Sequence, residues 1–224
     1  MTQVEILYQA LRSDILNMVL APGLRLSERK IESSYSGASR TPIRTALLML
    51  EADKLVQKKL RTWFVMPLCM SHIQQACEFR VGLERAGLVL VHERATSEQI
   101  DALERAFIPE DADQSREDWL KSGRDFHVEL MRLSGNDLFV DAMQDVMQRL
   151  ARIRWLEVIN EAGRTRTIIE HREILRHLRA GNVDEACEAA RRHALETQKR
   201  HVDTLIALSR QSGFQMVGSA YHIA

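Results

Sequence analysis

The residues able to do chemistry fall into two groups, well separated along the 224-residue chain. The first is Ser39-Arg40-Thr41-Pro42-Ile43-Arg44, which brings two guanidiniums and two hydroxyls within about two helical turns. Such groups can reach phosphates and the acceptor edges of bases in a major groove. The second is His127, His171 and His193. Three imidazoles can ligate one divalent transition metal if the fold makes them converge. Otherwise each is a core histidine satisfied by a neighbouring side chain or water. Arg80 completes the set, because a guanidinium on a mostly apolar helix face needs a carboxylate, and Glu84 lies one turn on.

The elements that must position these residues follow from periodicity. Val4 to Leu20 reads as a helix with Ile6, Leu7, Ala10, Leu11 and Ile15 on one side, stopped by Ala21-Pro22-Gly23. Ser27 to Tyr35 reads as a second, short helix, and Ser36-Gly37-Ala38 as a turn. Ser39 is an N-cap candidate and Pro42 suits a helix start. Ile43, Ala46, Leu47 and Leu50 then give a third helix an apolar back, leaving Arg40, Thr41 and Arg44 in front. Leu55 to Lys59 and Thr62 to Val65 form a candidate hairpin around Leu60-Arg61. Helix, helix, turn, helix and hairpin make a winged helix-turn-helix over residues 1–70, with the third helix as the reading element.

Pro67 to Ser71 is the expected junction, with Ser71 capping the next helix. No convincing strand follows. Ser71–Ala95, Thr96 to about Ala106, about Arg116 to Leu133, Asp137–Ile159, Arg164–Ala180 and Asp184–Leu208 all read as helices. Ile108 to Ser115 reads as an acidic loop, and Glu161-Ala162-Gly163 as a break. The stripe expected on the first of these helices is Ile73, Ala76, Cys77, Leu83, Gly87, Leu90 and Val91. The fold class is therefore mainly α: an N-terminal winged helix-turn-helix with a small β-hairpin, then an all-α bundle of six or seven helices. The bundle spans 71–210 and leaves 211–224 as a tail. His127 shares a face with Leu120, Leu130 and Met131, His171 with Ile168, Leu175 and Leu178, and His193 with Ala186, Ala189 and Ala190, so all three are expected to point inward.

Charge distribution fits this division. Lys plus Arg balance Asp plus Glu at 31 each. Residues 1–70, however, hold ten basic and six acidic side chains, 10 − 6 = +4, which leaves −4 for the remainder. A basic module on an acidic body suits phosphate attraction on one side only. No apolar run approaches the roughly 20 residues that cross a bilayer. Cys69, Cys77 and Cys187 show neither pairing nor zinc-like spacing, which suits a reducing cytoplasm.

These motifs carry a resemblance. Pro22-Gly23, Leu26, Glu28, Ser39-Arg40-Thr41-Pro42, Arg44, Ala46-Leu47, Leu50-Glu51, Leu55-Val56 and Val65 resemble the N-terminal domain of GntR-family bacterial transcription regulators. The resemblance implies that Arg29, Ser39, Arg40, Thr41 and Arg44 contact DNA and that Arg61 sits on the wing. The family's wing tip is usually arginine-glycine, and here it is Arg61-Thr62. Phe126-His127, Leu130, Ser134-Gly135-Asn136, Glu170-His171, Ile174-Leu175, Gly181-Asn182, Ala186, Ala190 and His193 resemble the FCD effector domain of the FadR-type branch.

In that domain three histidines and an aspartate one turn before the first form a metal site. Here that position is Gly123. Asp125 lies about 200° around the helix from His127 and cannot replace it. The resemblance implies a divalent metal, zinc or nickel, on His127, His171 and His193, with water or ligand oxygen filling open positions and Gly123 leaving an opening. It also implies a small organic acid held by Arg80. The expected function is a non-enzymatic, homodimeric regulator that binds a palindromic double-stranded operator and responds to a small carboxylate, with no membrane partner. Two alternatives stand beside it. One is a regulator whose helical domain is a metal-free, ligand-blind dimerisation module. The more remote is a metal-dependent hydrolase, for which no general base or nucleophile motif is evident.

Overall fold

Thr2 opens the first helix with a capping box, accepting from the amide of Glu5 while the Glu5 carboxylate accepts from the amide of Thr2. The computed structural model describes residues 1–35, 39–108, 115–157 and 161–212. Helix α1 spans Gln3–Leu16, and Leu7, Leu11 and Ile15 are its buried stripe. It ends earlier than Leu20, because Met18 turns into the left-handed region at φ 64°. Ile6 is exposed rather than buried, one residue and hence about 100° off the stripe.

Ser27 caps α2 (Glu28–Ser34) by accepting from the amide of Lys30. The expected turn at 36–38 lies outside the described residues. Helix α3 (Arg40–Ala52) buries Ile43, Ala46, Leu47 and Leu50, the expected face. Two phenol hydroxyls tie the three helices together. Tyr8 of α1 donates to Asp53 at the end of α3, and Tyr35 at the end of α2 donates to Asp14 of α1.

The hairpin joins β2 (Val56–Lys59) to β3 (Thr62–Val65), antiparallel, with Lys59 opposite Thr62. A short strand that sequence periodicity does not signal, β1 (Arg25–Leu26), adds to β3, so the order is β1-β3-β2. Gly23, at φ 77°, makes the turn that lets its amide reach the carbonyl of Val65.

Residues Met1–Met70 and Ser71–Ala207 form two separate compact units. The second is helical. Its elements are α4 (Met70–Arg94), α5 (Ser97–Phe107), α6 (Arg116–Arg132), α7 (Asp137–Glu157), α8 (Glu161–Arg179) and α9 (Val183–Ser212). Thr96 caps α5 with a capping box to Gln99, and Ser115 caps α6. Ser71 is no cap, since α4 already begins at Met70. Glu161-Ala162-Gly163 does not break a helix but forms the first turn of α8. The tail is shorter than expected, for α9 continues to Ser212, and 213–224 lie outside the described residues. Most of the acidic loop, 109–114, does as well.

The buried stripe of α4 holds Arg80 on the apolar face as expected, with Glu84 beside it, and departs from expectation only at Leu83 and Leu90. It runs Ile73, Ala76, Cys77, Arg80, Glu84, Gly87, Leu88 and Val91. Two charged residues occupy its centre, whereas Leu83 and Leu90 are only partly covered. Gly87 lets α4 approach α6 so closely that any Cβ there would strike Met131. Met143, Met147 and Trp155 of α7 are buried core.

Candidate functional site

On the first unit, the α3 front is cationic and open. Arg29, Ser39, Arg40, Thr41, Arg44 and Arg61 are all exposed. Ser39 stands at the N-cap position, yet its hydroxyl makes no capping hydrogen bond. The N-cap position is the expected one, without the side-chain bond, and the residue is exposed. Arg44 donates through Nε to Glu28 Oε1 at 2.9 Å. At the wing, Leu60 takes φ 57° with its side chain almost fully exposed, and Arg61 follows. Lys58 lies 5.3 Å from the centre of the Trp63 ring, a cation–π contact.

In the second unit α6, α8 and α9 bring His127, His171 and His193 together. All three are buried, and one ligating nitrogen from each lies within 4.8 Å of the others. Nε2 of His171 and Nε2 of His193 are 3.3 Å apart. Two nitrogens on one tetrahedral zinc, each at about 2.0–2.1 Å, stand roughly 3.3–3.4 Å apart, so this pair already has the spacing of two ligands. Phe126 stacks on His171, 4.0 Å between centroids, and fixes that ring.

Two carboxylates stand behind the rings. His127 Nδ1 lies 2.8 Å from Glu84 Oε1, and His193 Nδ1 lies 2.6 Å from Glu170 Oε2. A carboxylate at Nδ1 selects the tautomer with its proton there and leaves Nε2 as the lone-pair donor, the arrangement that backs metal-ligating histidines. Burial, then the charges of Arg80, His193 and Arg154, holds His127 well below the usual imidazole range. Burial and its cationic surroundings, Arg80 and Arg154 among them, act on His171 in the same direction. Burial also lowers His193, and its hydrogen bond to Glu170 opposes the shift. Neutral imidazoles are the ligating form. The donor set therefore fits a divalent transition metal.

Arg80 is fully buried beside this cluster. Its Nε donates to Glu84 Oε1 at 3.1 Å, and its Nη2 lies 3.0 Å from His127 Nε2. Glu84 thus serves both Arg80 and His127, while its Oε2 is buried without a hydrogen-bond partner. A pocket of about 440 Å³, part of it open solvent, adjoins the three rings. Its lining among the described residues includes Arg80, Arg154, Arg164 and Arg200 and no aspartate or glutamate.

Gly123 borders a small cavity that Trp119, Thr167 and His171 also line. A Cβ at this position would lie 2.7 Å from Nη2 of Arg154, so the guanidinium from α7 stands against the glycine. The glycine and the arginine are complementary, since any side chain at 123 would push Arg154 aside.

The sequence of residues 3–62 matches the model for bacterial regulatory proteins of the gntR family, and residues 75–196 match that for the FCD domain. The chain belongs to the GntR family. It carries an FCD domain and is a DNA-binding transcription regulator. An HTH-type transcriptional regulator of Streptomyces ambofaciens is 30% identical, over 84% of this chain and 80% of that protein. The transcriptional repressor RspR of Escherichia coli is 24% identical, over 85% of each chain. The fold matches that of Lar from Listeria monocytogenes with a TM-score of 0.71, at 17% identity, over 91% of this chain and 98% of that one. It also matches Escherichia coli McbR/YncC with a TM-score of 0.60.

Within this GntR chain, sequence reasoning missed Arg154, Arg164, Arg200 and the role of Glu170. No local spacing marks the arginines, because they reach the pocket from three different helices. Glu170 precedes His171 but pairs with His193, 23 positions later. Among the described residues, no helix is long and apolar enough to cross a membrane.

Proposed function

We propose that this GntR regulator is a cytoplasmic homodimer whose FCD domain senses a small carboxylate at a metal site formed by His127, His171 and His193, with zinc or nickel as the ion. One observation carries the reading: three buried imidazoles lie within reach of one ion, two of them with a carboxylate behind Nδ1. A bound divalent ion supplies positive charge and an open coordination position for a carboxylate oxygen. Arg80 orients the acid from the pocket wall. Arg29, Ser39, Arg40, Thr41 and Arg44 face DNA, with Arg61 on the wing. One short reading helix covers few base pairs, so two copies read a palindrome. Carboxylate binding then biases the placement of the two reading helices, which is coupling between two sites of one assembly.

A second reading is favoured by Arg80. Its Nη2, 3.0 Å from His127 Nε2, sits at the lone pair a metal requires. On this reading the helical domain holds no metal, and the arginines and imidazoles serve an anion or the fold alone. Metal analysis of the purified protein, followed by thermal shift and operator release against organic acids with and without chelator, separates the two. Metal at one per chain and chelator-sensitive carboxylate binding support the first. Metal-free protein that binds equally well overturns it in favour of the second.

A further inference from the structure

The front of α3 is not uniformly polar. Ile43, Ala46, Leu47 and Leu50 take the back of the helix into the core. Leu48 follows Arg44 by one turn and Thr41 by two, so it stands in the middle of the opposite side, and it is 55% exposed. Thr45 lies beside it on the same exposed side. The Thr45 hydroxyl donates to the carbonyl of Thr41, 3.2 Å away in the same helix. That bond occupies the hydroxyl hydrogen and leaves the methyl as what Thr45 offers a partner. Along the front the order is therefore cationic, then apolar: Arg40 and Arg44 come first, and the Thr45 methyl and Leu48 follow.

A lone exposed leucine carries no message by itself. This one shares its face with two exposed guanidiniums, whose charge complements a polyanion. Against a duplex, most positions available to Leu48 are costly. A leucine pressed on a phosphate or a polar base edge displaces water without replacing its hydrogen bonds. The 5-methyl of thymine is different, since it is an apolar group that projects into the major groove and distinguishes thymine from cytosine.

We propose that Leu48 is a specificity-determining residue that packs on the 5-methyl of a thymine in the operator. Arg40 and Arg44 engage phosphates or polar base edges along the first part of the helix, and Leu48 selects thymine one turn further on. The assignment rests on the reading of α3 as the DNA-facing helix and goes beyond it by naming a base and the group that is read.

The test uses the full chain and a duplex that wild type selects from a random-sequence library. Each thymine is replaced in turn by deoxyuridine, which lacks the methyl and keeps the pairing edge. At least one replacement should weaken wild type about three- to fivefold, the loss of one buried methyl contact. Leu48→Ala should bind the intact duplex more weakly by a similar factor and lose its sensitivity at that thymine. Its melting curve should match wild type, because the side chain lies outside the core. Leu48→Met, which still reaches the methyl, should keep most of the penalty. Equal penalties in wild type and Leu48→Ala, or no penalty at any thymine, overturn the assignment, while losses in Arg40→Ala and Arg44→Ala leave α3 on the DNA. If those two variants and Leu48→Ala all bind as wild type does, α3 is off the DNA and both readings fall. Selection of no sequence at all has the same consequence.

Discussion

Arg44 of α3 is held by Glu28 of α2, Nε to Oε1 at 2.9 Å, so the two helices share an ion pair at the surface proposed to face DNA. The pair leaves the terminal nitrogens of Arg44 for a base edge or a phosphate. Glu28 also places a negative charge near the phosphates, which only a benefit in orientation would offset. Arg44→Ala and Arg40→Ala are each expected to weaken operator binding about ten- to a hundredfold with the fold intact. Glu28→Gln is expected to bind non-specific DNA more tightly and to discriminate the operator less. Anisotropy titrations with the promoter upstream of its own gene measure both quantities. Unchanged affinity in the two arginine variants would take α3 out of the interface.

The wing contributes charge. Leu60 occupies the left-handed region that favours glycine, and its side chain stands away from the sheet beside Arg61. Arg61→Ala should weaken binding to all sequences alike and reduce the log–log salt slope by about 0.9, one phosphate contact. Leu60→Gly removes the strain and lets the backbone come closer, so it should tighten binding without changing base preference. A changed preference in either variant would mean that the wing reads bases.

The phenols that tie α1 to the reading helices predict an alkaline limit. Burial, then the hydrogen bond to and charge of Asp53, pushes Tyr8 up to about 12. The unfolded phenol ionises near 10, so between roughly pH 10 and 12 the folded chain keeps a proton that the unfolded chain releases. The Tyr8 contribution is therefore complete below pH 10 and lost as the pH rises toward 12. Because Tyr8 is only partly buried, about 1 kcal/mol is the expected size. Tyr35, raised by burial and Asp14, acts with the same sign. Denaturant melts from pH 8 to 11.5 should show stability falling with pH, more gently in Tyr8→Phe and most gently in the double phenylalanine variant. Parallel profiles would dissociate these hydrogen bonds from stability.

Which features the sequence disclosed follows from the range of the interaction. The α3 face and the helix restart at Thr96 depend on neighbours within one turn, and their spacing showed them. The inward faces of three helices were likewise legible, and burial of His127, His171 and His193 accompanies them. Strand β1 was not legible, since two residues carry no periodicity and its partner β3 lies nearly forty positions on. The pairing of Arg80 with Glu84 was legible one turn apart, whereas the contact of Glu84 with His127 was not, because it joins two helices. Gly123 seemed to be an absence because its partner, Arg154, is on another helix.

That partnership changes what a restored aspartate would do. Gly123→Asp places a carboxylate against the Arg154 guanidinium, and a charge-assisted hydrogen bond between them competes with a metal for the same oxygens. The single variant should therefore gain little zinc affinity, within about threefold of wild type. Arg154→Met alone removes a repelling cation from the rings and should raise affinity modestly. With both changes the aspartate has no guanidinium to bind, becomes the fourth donor and should raise affinity by tenfold or more over either single variant. Competition against a chromogenic chelator, at fixed pH and without organic acids, gives all four constants. Strict additivity of the two substitutions, or a full gain in Gly123→Asp alone, would mean that Arg154 does not occupy the fourth position in solution.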